Sequence, residues 1–352
     1  MTRTTQTVAV TAAAVAALLG LAACSGSSSP APSSSAKPSP TTSGPTPTTT
    51  SKPPAAPRNP LTDIGPVPKK PLIAVKIDDT APGRPQVGID KADVVYVEAV
   101  EGGLDRLNVL FGSHKPTVGY VRSTRPSDPE LLKQYGNITE AFSGGQAVSR
   151  NILQQTGLHA WNLGAGDPFF YRVTRSESDY INVKLNLAKV AKHITSPRPR
   201  ANGWTFSSAL KGLPTSKGTD VRTVVTGSYS SGTPVEFRWS PKLNKYVRYI
   251  DGVAQHAADG HLVTMTNVIV QSCNIESFTA DRDVNGNPAQ FTHTVGSGAV
   301  SVFRQGKRIT GTWTRPKATA GTILKTSGGK RIPLHPGNTW VVLIRKGVAL
   351  HG

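Results

Sequence analysis

The apolar positions of this chain begin to pattern at residue 72. Leu72-Ile73-Ala74-Val75-Lys76-Ile77 is a nearly unbroken run of β-formers, and it closes on the turn formers Asp78-Asp79-Thr80-Ala81-Pro82-Gly83, which predicts a strand and a loop. Residues 93–100 carry apolar side chains on both parities: Val94, Tyr96 and Val100 on one, Val95, Val97 and Ala99 on the other. A strand covered on both faces is a central one, and Glu98, on the parity of Tyr96, is expected to point into a covered layer. Gly102-Gly103 permits a tight turn, after which Leu107, Val109 and Phe111 alternate with Arg106, Asn108 and Leu110 as a returning strand. A third run, residues 117–121, follows after residues 113–116. Three successive antiparallel strands would place Glu98, Glu101, Arg106 and Arg122 on one rim, because alternate strand ends share an edge.

Helical spacing enters next. Ser127-Asp128-Pro129-Glu130 predicts a helix start, with Ser127 as cap and Pro129 in the first turn, and a further strand is expected over residues 137–142. Ser143-Gly144-Gly145 then precedes a predicted helix over 146–155, and Val183, Leu185, Leu187, Val190 and Ile194 predict another over 182–193. Beyond about Lys217 the helical spacing disappears. Short β-like runs at 221–226, 235–239, 246–250, 263–270, 290–295, 300–304, 308–313, 322–325 and 340–344 are separated by Asp-Gly, Gly-Lys, Gly-Gly and Pro-Gly signals. The expected fold class is an α+β or α/β N-terminal domain with a mixed sheet over 66–216, followed by an all-β C-terminal domain over 217–352.

The first 65 residues follow other rules. Residues 1–23 hold one basic residue, Arg3, an apolar core from Val8 to Leu19, and the ending Leu21-Ala22-Ala23 before Cys24, which is the layout of an export signal. Cys24 after Leu-Ala-Ala resembles the lipobox of bacterial lipoproteins, which makes Cys24 the candidate lipidation site and the outer face of the bacterial cell membrane the expected location. Residues 24–65 are dominated by Ser, Thr, Pro, Ala and Gly, too polar to offset the entropy of ordering, and read as a tether. Where it is polyproline-like such a tether rises about 3 Å per residue, a reach on the order of 100 Å. Cys273, the other of the two cysteines, follows a strand-like run and reads as a buried structural thiol, so no intramolecular disulfide is available.

The formal charge of +19, from 40 Lys and Arg against 21 Asp and Glu, suggests a polyanionic partner. Export turns that inference from nucleic acid, which is not expected, towards an anionic wall polymer, a glycan or lipid head groups. The two signs are interspersed, so solubility alone is an equal account of the charge.

The order of short motifs resembles the YerB-like lipoproteins, a bacterial family with N- and C-terminal domains of unknown function. The residues carrying the resemblance are Ile77-Asp78-Asp79, Arg84-Pro85-Gln86, Lys91-Ala92-Asp93, the stretch from Glu98 to Arg106, residues 121–126, Gly144-Gly145 and Phe170-Tyr171-Arg172. In the second half they are residues 267–270, 295–298, 311–313 and 336–340. The resemblance implies a two-domain architecture at the cell surface and brings no settled activity. Family members often carry histidines where this chain has Phe142 and Ile181, so a mechanism needing them does not transfer.

The candidate site is the rim: Asp78, Asp79, Arg84, Glu98, Glu101, Arg106, Arg122, Arg125 and Arg172, with Gly144 and Gly145 for close backbone approach. Arginine forks bind carboxylate or phosphate, and two carboxylates beside a sugar ring can divide acid and base roles. The competing account is that the arginines pair with the acids and hold loops in place. Asp281, Asp283 and Asn285 match the first half of a calcium loop, but position 12 is Thr292 and Asn-Gly signals a hairpin, so no metal is assigned. Nucleophile-elbow, P-loop and paired-histidine motifs are absent, and no cofactor is called for. The leading expectation is a surface lipoprotein binding an anionic or glycan component of the envelope; the alternatives are a wall-polymer hydrolase or transferase using Glu98 with Glu101 or Asp79, and a scaffold for another envelope protein.

Overall fold

The structure, a computed structural model, describes residues 56–164, 168–225 and 234–351. Cys24 and the signal and tether segments before residue 56 lie outside these residues. The first half runs β1 (Ile73–Asp78), β2 (Val94–Ala99), β3 (Asp105–Phe111), β4 (Thr117–Gly119), α1 (Asp128–Leu132), β5 (Thr139–Phe142), α2 (Ala147–Gln155), β6 (His159–Asn162), β7 (Phe170–Arg172), β8 (Val183–Asn186) and α3 (Leu187–Val190). The second half is strands: β9 (Ser216–Lys217), β10 (Asp220–Val224), β11 (Pro234–Ser240), β12 (Lys245–Ile250), β13 (Val253–Ala254), β14 (Thr264–Met265), β15 (Asn267–Arg282), β16 (Pro288–His293), β17 (Gly296–Arg304), β18 (Lys307–Arg315), β19 (Ile323–Lys325), β20 (Thr339–Arg345) and β21 (Leu350–His351).

One mixed sheet crosses both halves in the order β19-β18-β17-β15-β20-β2-β3-β1-β5-β6. The mixed sheet is as expected, but the division into two separate domains at 216 is not what forms. β20 lies between β15 and β2 and pairs parallel with both, from Val94↔Thr339 to Val97↔Val342 on one side and from Asn267↔Thr339 to Cys273↔Arg345 on the other. The reason is the apolar character of β20, which is buried from Thr339 to Ile344 and so requires a neighbour on each edge and cover on each face. Among the described residues the last helix ends at Val190, and residue 216 opens the short strand β9, which pairs with β18 of the same sheet.

Two local expectations are also corrected. The predicted helix over 182–193 is β8 followed by the single turn α3, since Val183 and Leu185 alternate with half-buried Lys184 and Asn186, a two-residue period. Asn186 then caps α3 by accepting from the Lys189 amide at 3.0 Å. The predicted three-strand meander is not formed: β2 and β3 pair as expected, but β1 takes the other edge of β3, and β4 joins β8 and β7 in a separate small sheet. Arg122 reaches the rim by another route, because its amide donates to the Lys76 carbonyl at 2.8 Å and Val121 bridges Ile77. The folded part also begins before residue 66: Leu61 is fully buried in the core, and Asn59 donates to Ser113 Oγ at 2.9 Å.

Candidate functional site

β1, β2, β5, β6, β15 and β20 run in one direction, so the carboxyl ends of these strands meet on one side of the sheet. Here the register sets Asp78 and Glu98 on either side of Arg106. The predicted rim residues other than Arg172 collect at this end but separate into a sealed layer and an open cleft.

Asp79 belongs to the sealed layer. Arg248 on β12 donates to both its oxygens, at 2.9 and 2.5 Å, Gln86 Nε2 donates to Oδ1 at 3.0 Å, and Arg84 grips the Asp79 carbonyl at 3.1 and 2.6 Å. Arg248 also lies 5.0 Å over the Trp340 ring, so this fork ties the two halves together. Removing one member of a buried pair leaves an uncompensated charge, so Arg248→Met is expected to cost about 3–5 kcal/mol in urea unfolding. Adding Asp79→Asn to that variant should recover part of the loss; a single substitution costing under about 1 kcal/mol would contradict the pairing.

Glu98 is sealed as well, in a cluster that no motif announced. Lys76 Nζ donates to Asp128 Oδ1 at 2.6 Å and to Glu98 Oε1 at 3.3 Å, and Thr124 Oγ1 lies 3.2 Å from both Asp128 Oδ2 and Glu140 Oε2. Glu98 and Asp128 thus share one buried ammonium, and Glu140, equally buried, joins them through Thr124. Burial raises Glu98 to about 8 despite Lys76, and burial with the Asp128 charge raises Glu140 well above its ordinary range. For Asp128, burial is outweighed by Lys76, and it is lowered; for Lys76, burial is outweighed by Asp128 and Glu98, and it is raised. The cluster therefore favours Lys76 with Asp128 as its ionised pair and disfavours charge on Glu98 and Glu140. The signal in the sequence was a charged residue inside each of three apolar strands, Lys76, Glu98 and Glu140, since such residues need one another.

Glu101, Arg106, Arg122, Arg125 and Gly145 line an open cleft of about 600 Å³, together with Tyr180 and the turn from Asp281 to Asn285. Arg125 forks onto Glu101, with Nε donating to Oε2 at 2.6 Å and Nη2 to Oε1, and Arg106 Nη2 stands 3.3 Å from the same Oε1. Burial, which alone would raise Glu101, is outweighed by these arginines, which hold it down to about 2. Arg122 Nε is 3.1 Å from Asp78 Oδ2, and its guanidinium lies 5.6 Å over the Tyr180 ring. The other oxygen of Asp78 is taken by the Thr80 amide at 2.7 Å. Arg106 is almost wholly buried, its Nη1 has no hydrogen-bond partner, and burial with neighbouring Arg125 pushes it down to about 9.

Gly144 and Gly145 connect β5 to α2, and β6 follows parallel to β5, so the first turn of α2 opens at this end of the sheet. Arg172 stands apart on β7, donating to Asn182 Oδ1 at 2.7 Å. The calcium-like loop is the hairpin its Asn-Gly signal predicts: Asp283 accepts from the Asn285 and Asn287 amides at 2.9 and 2.8 Å, whereas Asp281 accepts from Ser149 Oγ. A different group, Asp90, Asp259 and His261, brings three ligand atoms within 4.8 Å of one another. The Lys91 ammonium already lies 2.5 Å from Asp90 and 3.8 Å from Asp259, supplying the positive charge there. Cys273 is a buried thiol pushed up to about 12 by burial.

Family models for the N-terminal and C-terminal domains of a protein of unknown function, DUF3048, match residues 61–200 and 224–341. The chain belongs to the DUF3048 family. Its relative YerB of Bacillus subtilis (strain 168), whose name carries a provisional lipoprotein assignment, is 24% identical over 279 residues, or 77% of this chain and 80% of that protein. The crystal structure of Bacillus subtilis YerB shares the fold, with a TM-score of 0.70 at 22% identity over 84% of this chain and 99% of that one. The start of the first DUF3048 match, at residue 61, agrees with the burial of Leu61.

Proposed function

We propose that this DUF3048 protein is an envelope lipoprotein, anchored through Cys24, whose folded head binds an anionic component of the cell envelope in the cleft at the strand ends. The observation that carries the reading is an unmet arginine donor: Arg106, Arg122, Arg125 and Arg282 line the cleft with Glu101, Asp281 and Asp283, and Arg106 Nη1, buried at its edge, has no hydrogen-bond partner. The basic excess, +19 over the full chain and carried mostly by the head, draws polyanions, and the cleft gives them a defined place. The lipid anchor is supported by Leu21-Ala22-Ala23-Cys24 and by the name of the YerB relative. A hydrolase reading loses two of its three acids, because Glu98 and Asp79 have no surface for a sugar to reach. Of the three acids lining the cleft, Glu101 and Asp283 are lowered, by arginine and by the Asn287 hydrogen bond respectively, which leaves neither with a proton to donate at neutral pH, and Asp281 is buried and held by Ser149 Oγ.

Two measurements test the reading. Cys24→Ser should move the protein from the membrane fraction into the medium, and an unchanged fractionation would remove the anchor. The released protein should sediment with purified cell wall and come off steeply as salt rises from about 0.05 to 0.5 M, since charge attraction is screened over that range. Arg122→Ala should weaken this binding; retention that ignores both salt and Arg122 would refute the cleft.

A further inference from the structure

We propose that the ligand is a phosphate ester: its phosphate sits at the N-terminus of α2 against Arg106, Arg122 and Arg125, and its sugar or polyol part lies against Tyr180. This rests on the anion-binding reading above and narrows it to a chemistry.

The backbone supplies the first half of the seat. α2 follows the Gly144-Gly145 turn in a parallel β5-α2-β6 unit and begins at the carboxyl ends of the strands, the usual place for an anion in such sheets. No side chain caps α2, because Gln146 at its N-cap is turned away, its Nε2 donating to the Arg282 carbonyl at 2.9 Å. The amides of the first turn have no partner within a helix. Gly145 adopts a φ of +147°, and a Cβ there would stand 2.9 Å from Thr124 Cγ2, so a side chain fits neither the conformation nor the space.

The guanidinium groups supply the second half. Arg106 is only 6% exposed and borders the cleft, yet its Nη1 donates to nothing. A buried guanidinium hydrogen without an acceptor is costly, and a ligand oxygen is the partner that would satisfy it. Arg106, Arg122, Arg125 and Arg282 line the cleft with Glu101, Asp281 and Asp283, and Asp78 pairs Arg122, so the seat rests on the unmet Arg106 donor rather than on an excess of charge. Arg125 is spent on Glu101 and the Thr124 carbonyl, but a carboxylate's two oxygens suit one arginine fork, whereas the helix amides, Arg106 Nη1 and the part-exposed Arg122 match the three outer oxygens of a phosphate. Beside them Tyr180 is 67% exposed, and a sugar can lay its C–H face on that ring.

The Cys24→Ser protein, titrated with inorganic phosphate, glycerol 3-phosphate and acetate at constant ionic strength, provides the test. Both phosphates should bind and displace the protein from cell wall, and acetate should do neither. Arg106→Lys keeps the charge but loses the fork, and should weaken phosphate binding by about tenfold or more at an unchanged melting temperature. Arg122→Gln, at a more exposed position, gives the same readout if the Arg106 variant folds poorly. Tyr180→Ala should weaken glycerol 3-phosphate while sparing inorganic phosphate. Wall stripped of phosphodiester-linked polymers by hydrofluoric acid should no longer be retained. If salt-sensitive, Arg122-dependent binding persists on stripped wall, the phosphate assignment is overturned while the anion reading stands. If intact wall shows no such binding, both fall.

Discussion

Lys76→Met is expected to unfold the protein, or nearly so, at pH 8 and to be far better tolerated at pH 5. Lys76 is the one cation among Glu98, Asp128 and Glu140, and all four side chains are buried. Without it Asp128 keeps a charge with no partner or must take up a proton, a loss of about 3–5 kcal/mol against a total stability of about 5–15 kcal/mol. The pH dependence follows from the carboxyls. Glu98 rises from its ordinary 4.5 to about 8 in the folded chain, so the folded state holds a proton that the unfolded state releases. That contribution is complete below about pH 4.5 and is lost as pH climbs to about 8, at about 1.4 kcal/mol per unit from this group. Glu140 and Asp105, both raised by burial, act in the same direction. Glu101, held at about 2, acts oppositely and removes stability as pH falls below its ordinary value, so the intact protein should be most stable at mildly acidic pH. Urea midpoints at pH 5 and 8 measure this. Glu98→Gln should flatten the slope, and Asp128→Asn should rescue part of Lys76→Met. A Lys76→Met midpoint within about 0.5 kcal/mol of the parent at pH 8 would contradict the cluster.

The same residues show what was legible in the sequence. Strand positions were, because apolar runs and Gly-rich turns are local: each β-like run read beyond residue 217 overlaps an observed strand, with residue 226 of the first lying outside the described residues. Glu98 was correctly expected in a covered layer, since parity is also local. Depth was not legible. Asp79 and Glu101 both follow a strand, yet Asp79 is sealed by Arg248, which lies 169 residues away, whereas Glu101, held by Arg125 and Arg106, borders the open cleft. Whether an acid at a strand end is a pair or a rim depends on which distant element passes over it. Arg122 reached the predicted rim although the predicted meander was wrong, because its backbone follows β1 rather than β3. The run at 340–344 read as a strand of the second half but could not say that one of its neighbours comes from the first half of the chain.

That pairing leads to the other large expected effect: a chain ending at residue 216 will not fold. Family-level matches at 61–200 and 224–341 invite the opposite expectation of two separable modules. In the structure the cut removes β20 from the edge of β2, exposing an unpaired row of backbone groups along Val94, Val95, Tyr96 and Val97, a strand with no exposed position. It also takes Arg248 from Asp79, and it takes the Thr294 and Val295 amides, which donate to Glu130 Oε1 at 2.6 and 2.9 Å. Burial, backbone pairing and charge neutralisation are therefore lost together at the centre of a sheet. The fragment should show little near-ultraviolet dichroism, bind a hydrophobic dye and aggregate, whereas co-expression with residues 217–352 should restore a soluble complex. In the intact chain, fluorescence and far-ultraviolet dichroism should trace one coincident unfolding transition. A monomeric 1–216 fragment that melts cooperatively would show that β2 does not need β20, and the single-sheet account of stability would then fail.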